Sequence, residues 1–148
     1  MNTHDHQLAV VFSFAQANAM LPLLRLIVAD ISLAHRDLTE RKMQMHRIMR
    51  QREKRSKGNR IDGYYLAEVE EIRADLKEEE SQLTVLIAEL EALGVLLQSA
   101  HDGIVAFPAV IDDKPAFYCW RMGDAEIDSW HRTGETFADR RPLEGPQE

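Results

Sequence analysis

Apolar residues recur in four-three alternation at Ala17, Leu21, Leu24, Val28 and Ile31, continue at Leu38, Met45 and Met49, and resume at Tyr65, Val69, Ile72, Leu76, Leu83, Leu86, Leu90, Leu93 and Leu97. A repeat of about 3.5 residues keeps one stripe turned toward a partner helix, so this spacing is the seam of a coiled coil. Two long helices are expected. Ser13 and Gln16 stand three apart just ahead of the run, the spacing of a capping box, and Ser13 is read as the N-cap of the first helix. Pro22 deletes a backbone donor in the early turns, which predicts a short helix ending near Ala19 to Leu21 and a long one running on from Pro22.

Residues 56–63 supply Gly58, Asn59 and Gly63 for left-handed backbone angles and Asp62 as a cap, which predicts a chain reversal near 57–62. A reversal there mates the seams: Met49 with Val69, Met45 with Ile72, Ile31 with Leu86, Val28 with Leu90, Leu24 with Leu93 and Leu21 with Leu97. His35, Lys42 and Glu79 are polar seam positions, read as a register lock in which Glu79 faces Leu38 and reaches Lys42 diagonally, while His35 faces Leu83. Charge supports the pairing. Residues 36–60 hold ten Lys or Arg against three acids, and residues 62–91 hold ten acids against Arg73 and Lys77, so the two arms are complementary. Met20, Leu23, Ile27, Val85 and Ile87 add a second apolar stripe, to be covered by the C-terminal segment or by a second subunit.

After Gly94 the composition changes: six of the ten aromatic residues fall between Phe107 and Phe137. Residues 104–111 and 116–121 read as strands around the polar turn Asp112-Asp113-Lys114, and residues 95–98 as a short edge. Pro108 and Pro115 favour an edge or a bulge. Asp124 is read as the cap of a short helix through Trp130 or His131, and the tail after Arg140 as loose. The expected fold class is therefore mainly α. A long antiparallel coiled-coil hairpin occupies residues 1–97, and a small α+β module, a short β-hairpin plus a short helix, occupies residues 98–148.

The opening Phe14-Ala15-Gln16-Ala17-Asn18-Ala19-Met20-Leu21-Pro22 joins Gly94-Val95, Asp102-Gly103-Ile104-Val105, Phe107-Pro108-Ala109, Cys119-Trp120-Arg121 with Gly123, Glu126-Ile127, Trp130-His131 and Arg140. On these residues the chain resembles, over nearly its whole length, the uncharacterised bacterial proteins grouped as domain of unknown function 2203. The resemblance implies a helical hairpin with a small terminal domain, and no activity. The chain departs from the family pattern at Ala106, where an acid is usual, at Asp124 for Glu and at Asp139 for Gly.

With 148 residues, a net charge of −7, 45% hydrophobic and 29% charged residues, the chain reads as one globular domain. No apolar run approaches the roughly 20 residues that span a bilayer. Residues 8–15 faintly mimic a signal peptide, but no Lys or Arg precedes them. The single Cys119 excludes an internal disulfide and fits a reducing compartment, so the expected location is cytoplasmic.

Reactive side chains are densest at Cys119, Trp120, Arg121, Asp124, Glu126, Asp128, Trp130 and His131. On a helix Glu126 and His131 diverge and make no zinc-protease pair. Asp128 and His131 would share a face, so the carboxylate could orient a ring nitrogen, yet a metal needs further ligands from Cys119, His101 or Asp102. No metal or cofactor is assigned. Both tryptophans are read as core, and Cys119, alternating with Trp120 on a strand so that one faces in and the other out, as a buried inert thiol. Arg121, Arg140 and Arg141 suit a phosphate or carboxylate, in competition with nearby acids. The ligand-site candidates are Arg121, Asp128, His131 and Arg140.

The basic run of residues 47–60 has no interleaved aromatic and faces an acidic helix, so nucleic acid is not expected as a partner. His4-Asp5-His6 resembles a chelating tract and is read as incidental. The leading expectation is a non-enzymatic interaction or scaffold protein that self-associates as a dimer through its helical hairpin. The alternatives are a ligand or metal site in the C-terminal module, with or without catalysis, and weak nucleic-acid binding by the basic tip.

Overall fold

The computed structural model describes residues 10–56 and 63–144. The expected turn, with Gly58, Asn59 and Asp62, lies outside the described residues, as do His4-Asp5-His6 and the Lys57 and Arg60 of the basic run. In chain order the elements are α1 (Phe14–Ala19), α2 (Leu21–Ser56), α3 (Gly63–Ala92), β1 (Leu96–Ser99), β2 (Ile104–Ile111), β3 (Lys114–Arg121), β4 (Ser129–Arg132), one 3-10 turn (Phe137–Asp139) and β5 (Arg141–Pro142). The strands form a single antiparallel sheet in the order β1-β2-β3-β4-β5. This overturns the expected fold class: three helices accompany a five-stranded sheet, in place of one helical hairpin carrying a short β-hairpin and a short helix.

The described residues divide into two compact units. One takes everything up to Ser32 and from Leu86 onward, and the other is Leu33–Val85. In the first unit, Ser13 Oγ accepts from the Gln16 N–H at 3.1 Å while the Gln16 side chain accepts from the Ser13 N–H at 2.9 Å, the reciprocal cap read from the sequence. α1 stops at Ala19 and α2 starts at Leu21, so Pro22 sits in a first turn, where its missing N–H breaks no helical hydrogen bond. Ala17, Leu21, Leu24, Val28, Ile31 and Leu90 are buried with Val105, Phe107, Tyr118 and Trp120 of the sheet. Phe12 meets Phe107 edge-on at 5.4 Å and Phe14 meets Tyr118 at 5.8 Å. The Asn18 side-chain oxygen accepts from the Ile127 N–H at 2.9 Å, and Ser32 Oγ donates to the Ala100 carbonyl at 2.6 Å. Gly103 is required where these layers meet. Its φ is +70°, and a Cβ there would lie 2.9 Å from Met122 Cβ and 3.3 Å from Val28 Cγ1.

α3 ends at Ala92, so Leu93 and Leu97, assigned to the helical seam, fall beyond it, Leu97 within β1. An apolar residue at a heptad position is equally acceptable to a short strand, which is why the spacing ran past the real terminus. β2 and β3 pair from Ile111 opposite Lys114 to Ile104 opposite Arg121. Asp112 and Asp113 take φ of 55° and 64°, the double left-handed turn that matches the twist of a two-residue hairpin. Pro108 costs no ladder bond, because β1 pairs with β2 only over Ile104 to Ala106, and the Pro108 carbonyl accepts from the Phe12 N–H at 2.7 Å.

The short helix expected from Asp124 is a second correction. Ile127, Ser129 and His131 are buried at alternating positions, a period of two, and residues 129–132 are strand β4. Asp124 closes the turn after β3 instead: its carboxylate accepts from the Arg121 N–H at 3.3 Å and its carbonyl from Trp120 Nε1 at 3.0 Å. The tail after Arg140 is also tied down, since Arg141 and Pro142 pair with Trp130 and Ser129.

In the second unit Leu38, Tyr65, Val69, Leu76 and Leu83 are buried. Arg41 is bonded to Glu79, Lys42 Nζ lies 3.1 Å from Glu80, and the Arg52 guanidinium lies 5.0 Å from the centre of the Tyr65 ring. The parts of α2 and α3 in this unit therefore run side by side in opposite directions. Glu79 takes Arg41 as its partner rather than Lys42. The longer guanidinium arm reaches the carboxylate from the exposed flank, and Lys42 goes to Glu80 instead.

Candidate functional site

A strand alternates its side chains between two faces, yet Tyr118, Cys119 and Trp120 are consecutive and all buried. Both faces of β3 are therefore covered, which corrects the expectation that one of Cys119 and Trp120 would face outward. The helical segments cover the face carrying Val105, Phe107, Tyr118 and Trp120. The opposite face is built from the directly paired residues Ala106, Cys119 and Ser129, with Phe117 opposite His131. Over it lies the segment between β4 and β5 that contains the 3-10 turn. Where cover and sheet part, Gln98, Ser99, Ile104 and Arg121 from the strands meet Thr136, Phe137, Ala138 and Arg140 across an open cleft of about 560 Å³.

The cover is held by two carboxylates. Glu135 accepts from the Arg132 N–H at 2.8 Å and takes both arms of Arg141, at 2.9 and 3.0 Å. These contacts, the Arg132 N–H first, hold its carboxyl below the usual range. Asp139 accepts from the Thr136 N–H at 2.9 Å and the Thr136 hydroxyl at 3.2 Å, and its pKa is lowered by the backbone bond first and the hydroxyl second. The Arg132 and Arg141 guanidiniums lie 4.6 and 5.0 Å from the centre of the Trp130 ring.

His131 is 1% exposed. Its Nδ1 lies 2.9 Å from the Arg132 carbonyl oxygen, which can only accept, so Nδ1 carries a proton. Its Nε2 lies 3.0 Å from the Gln98 amide nitrogen and accepts from it. The ring thus stands beneath the cleft, with Gln98 as its contact to the open side.

Of the four candidate residues, Arg121 and Arg140 line one cleft and His131 reaches it through Gln98. Asp128 does not join them. It is exposed, and three positions along extended chain turn side chains to opposite faces, so the expected Asp128–His131 pair depended on a helix that does not form. Arg121 lies 4.0 Å from Asp102. Arg140 stacks 3.9 Å from the Phe137 ring centre and donates to the Phe137 carbonyl at 3.0 Å, and among the described residues it has no carboxylate partner. Gln98, Thr136, Phe137 and Asp139 are not among the residues that the sequence singles out. The Thr136-x-x-Asp139 spacing is a capping signal that could have located the turn, whereas nothing in the sequence distinguishes Gln98.

Burial pushes the Cys119 thiol up to about 12, against the lowering effects of Arg140 and of a hydrogen bond with Ser129, so it offers no thiolate near neutral pH. Among the described residues no three His, Cys, Asp or Glu side chains gather closely enough to hold a metal ion, and no helix is long and apolar enough to cross a membrane.

A family model described as "Uncharacterized conserved protein (DUF2203)" matches residues 10–143. The chain belongs to the DUF2203 family. No curated protein and no solved structure matches it. The DUF2203 match takes in α1, the whole sheet and the cleft, so the site lies inside the family's shared region.

A carboxyl whose folded pKa is depressed contributes stability above its ordinary value and loses it as pH falls through the lowered one. Glu135 and Asp139 should therefore hold the DUF2203 cover fully at neutral pH and release it only as pH falls below the ordinary carboxylate range and through their lowered values. Hydrogen-exchange protection of the Arg132 and Thr136 amides, their donors, is expected to collapse in that window while β2 and β3 stay protected. Protection that persists well below it would contradict the assignment.

Proposed function

We propose that this protein binds a small organic anion, without covalent chemistry, in the cleft between the sheet and the segment that carries the 3-10 turn. The observation that carries this reading is Arg140. In a chain with 25 acidic against 18 basic residues, this guanidinium sits on a concave cleft opposite Arg121 without a carboxylate of its own among the described residues. Guanidinium forks match carboxylate oxygens and are weakly hydrated, so an arriving anion displaces little bound water. Ile104, Phe137 and Ala138 supply apolar walls beside the charges, the pairing of a few polar groups with an apolar surround that is usual for ligand sites.

Self-association as a dimer is the second reading. Val10, Val11, Leu96 and Val110 are exposed around a groove in which, among the described residues, Glu91 alone is charged, so the surface suits a largely uncharged partner such as a second copy. Weak nucleic-acid binding draws less support: Arg52 of the basic run lies on the Tyr65 ring, and ahead of the run Arg41 and Lys42 are engaged by Glu79 and Glu80.

Calorimetric titration with succinate tests the first reading. Binding in the mM range or tighter is expected. Arg121→Ala and Arg140→Ala should each weaken it about 10-fold or more, the worth of a charged hydrogen bond. Absence of binding at about 10 mM succinate would overturn the anion reading. For the second reading, light scattering should give a dimer that Val110→Lys dissociates, and a monomer at every concentration would end it.

A further inference from the structure

Resting on the anion reading, we infer that the ligand is an amphiphile, a monocarboxylate whose unbranched apolar tail leaves the cleft along β1 and lies in the groove beyond it. Directly paired strand residues share a face, so Ile104 with Arg121, Ala106 with Cys119 and Pro108 with Phe117 form three successive rows across β2 and β3. The first row lines the cleft, and the third lines a groove of about 660 Å³. Both openings are therefore on one side of the sheet, their rows about 14 Å apart at roughly 3.4 Å per residue. The middle row is buried, and Gln98 of β1 meets His131 of β4 at 3.0 Å, so their side chains cross β2 and β3 on this face. The open way round is β1. Leu96 lines the groove and Gln98 the cleft, two positions apart on that edge strand and both exposed.

Charge sets the direction of the ligand. The Arg121 and Arg140 guanidiniums line the cleft, whereas among the described residues Glu91 is the one charged group on the groove. A carboxylate therefore belongs at the cleft, and a second one carried on the far end of a chain would meet Glu91 instead of a cation. Apart from Glu91 and Thr133, the side chains around the groove are apolar, with Leu96, Val110 and Phe117 contributed by the same face of the sheet. Apolar surface of that kind gains from an occupant that takes it out of water. A polar or short anion leaves the groove wet, and an uncharged hydrocarbon leaves the arginines unused. One chain with an anionic head and an apolar tail satisfies both openings at once.

Butyrate, octanoate and suberate are the probes: octanoate is butyrate with a longer tail, and suberate is octanoate with a second carboxylate at the tail end. Calorimetry on the full chain is expected to give octanoate about 10-fold or more tighter than butyrate, since each methylene taken fully out of water is worth about 4-fold. Suberate should lose that gain. Leu96→Gln, at an exposed position, should shrink the gain by about 4-fold or more, and Arg140→Ala should weaken butyrate and octanoate by the same factor. Octanoate and butyrate of equal affinity would overturn this inference and leave the anion reading standing. Failure of both to bind would overturn the two together. An octanoate gain untouched by Leu96→Gln, or octanoate binding indifferent to Arg140→Ala, would show that no single chain joins the two openings. A dimer by light scattering that octanoate leaves intact would give the groove to a second copy and end the inference as well.

Discussion

Three neighbouring residues, Tyr118, Cys119 and Trp120, set the constraint from which the first unit follows. Because a strand turns successive side chains to opposite faces, keeping all three dry requires a layer on each side of β3. One layer is strong. The capping box at Ser13 and Gln16 fixes where α1 begins and so brings Phe14 onto Tyr118, while Gly103 lets the sheet approach Val28 without a side chain between them. Apolar burial of this kind contributes about 25 cal/mol per Å², and Val105, Phe107, Tyr118 and Trp120 on the helical side are all buried.

The other layer is a short chain segment with one turn of 3-10 helix, too thin to bury much apolar surface. Its order comes from polar contacts: Asp139 on Thr136, and Glu135 on Arg132 and Arg141. A layer of that kind covers Cys119 and His131 but leaves Arg121 exposed, and the gap beside it is the cleft. The chemistry of the site and the weakness of its lid thus have one origin. Membership of the DUF2203 family places the site in a shared fold without assigning it a reaction.

Much of the helical architecture was legible because it is written in local signals. The Ser13 cap, the break ahead of Leu21, the stop near Gly94 and the β2–β3 hairpin around Asp112 and Asp113 each depend on residues within a few positions of each other. The misjudged parts depend on the third dimension. A heptad stripe shows that a helix needs a partner but not which one. The stripe through Leu24, Val28 and Leu90 is buried in the unit that contains the sheet, not in one continuous hairpin seam.

Residues 124–131 illustrate the second kind of failure. Asp124 carries a strong capping propensity, and that local signal outweighed the alternation of Ile127, Ser129 and His131, which is the strand pattern that tertiary pairing with β3 selects. Once the helix is removed, Asp128 and His131 no longer share a face, so the error in secondary structure became an error in the site. Arg121 and Arg140 remain as candidates because a rim position needs only the right residue type. Gln98 was invisible, since its role comes from a buried ring more than thirty positions away.

The reactivity of Cys119 tests the two-sided cover most directly, because it is the chain's single cysteine and reports the face beneath the thin layer. With Trp120 marking the helical side as closed, a thiol reagent at mildly alkaline pH should label the folded protein about 100-fold or more slowly than the denatured chain, in keeping with a buried thiol raised to about 12. Labelling of the native protein at the rate of an unfolded thiol would mean that this face of β3 is open, and the cleft built upon it would not exist.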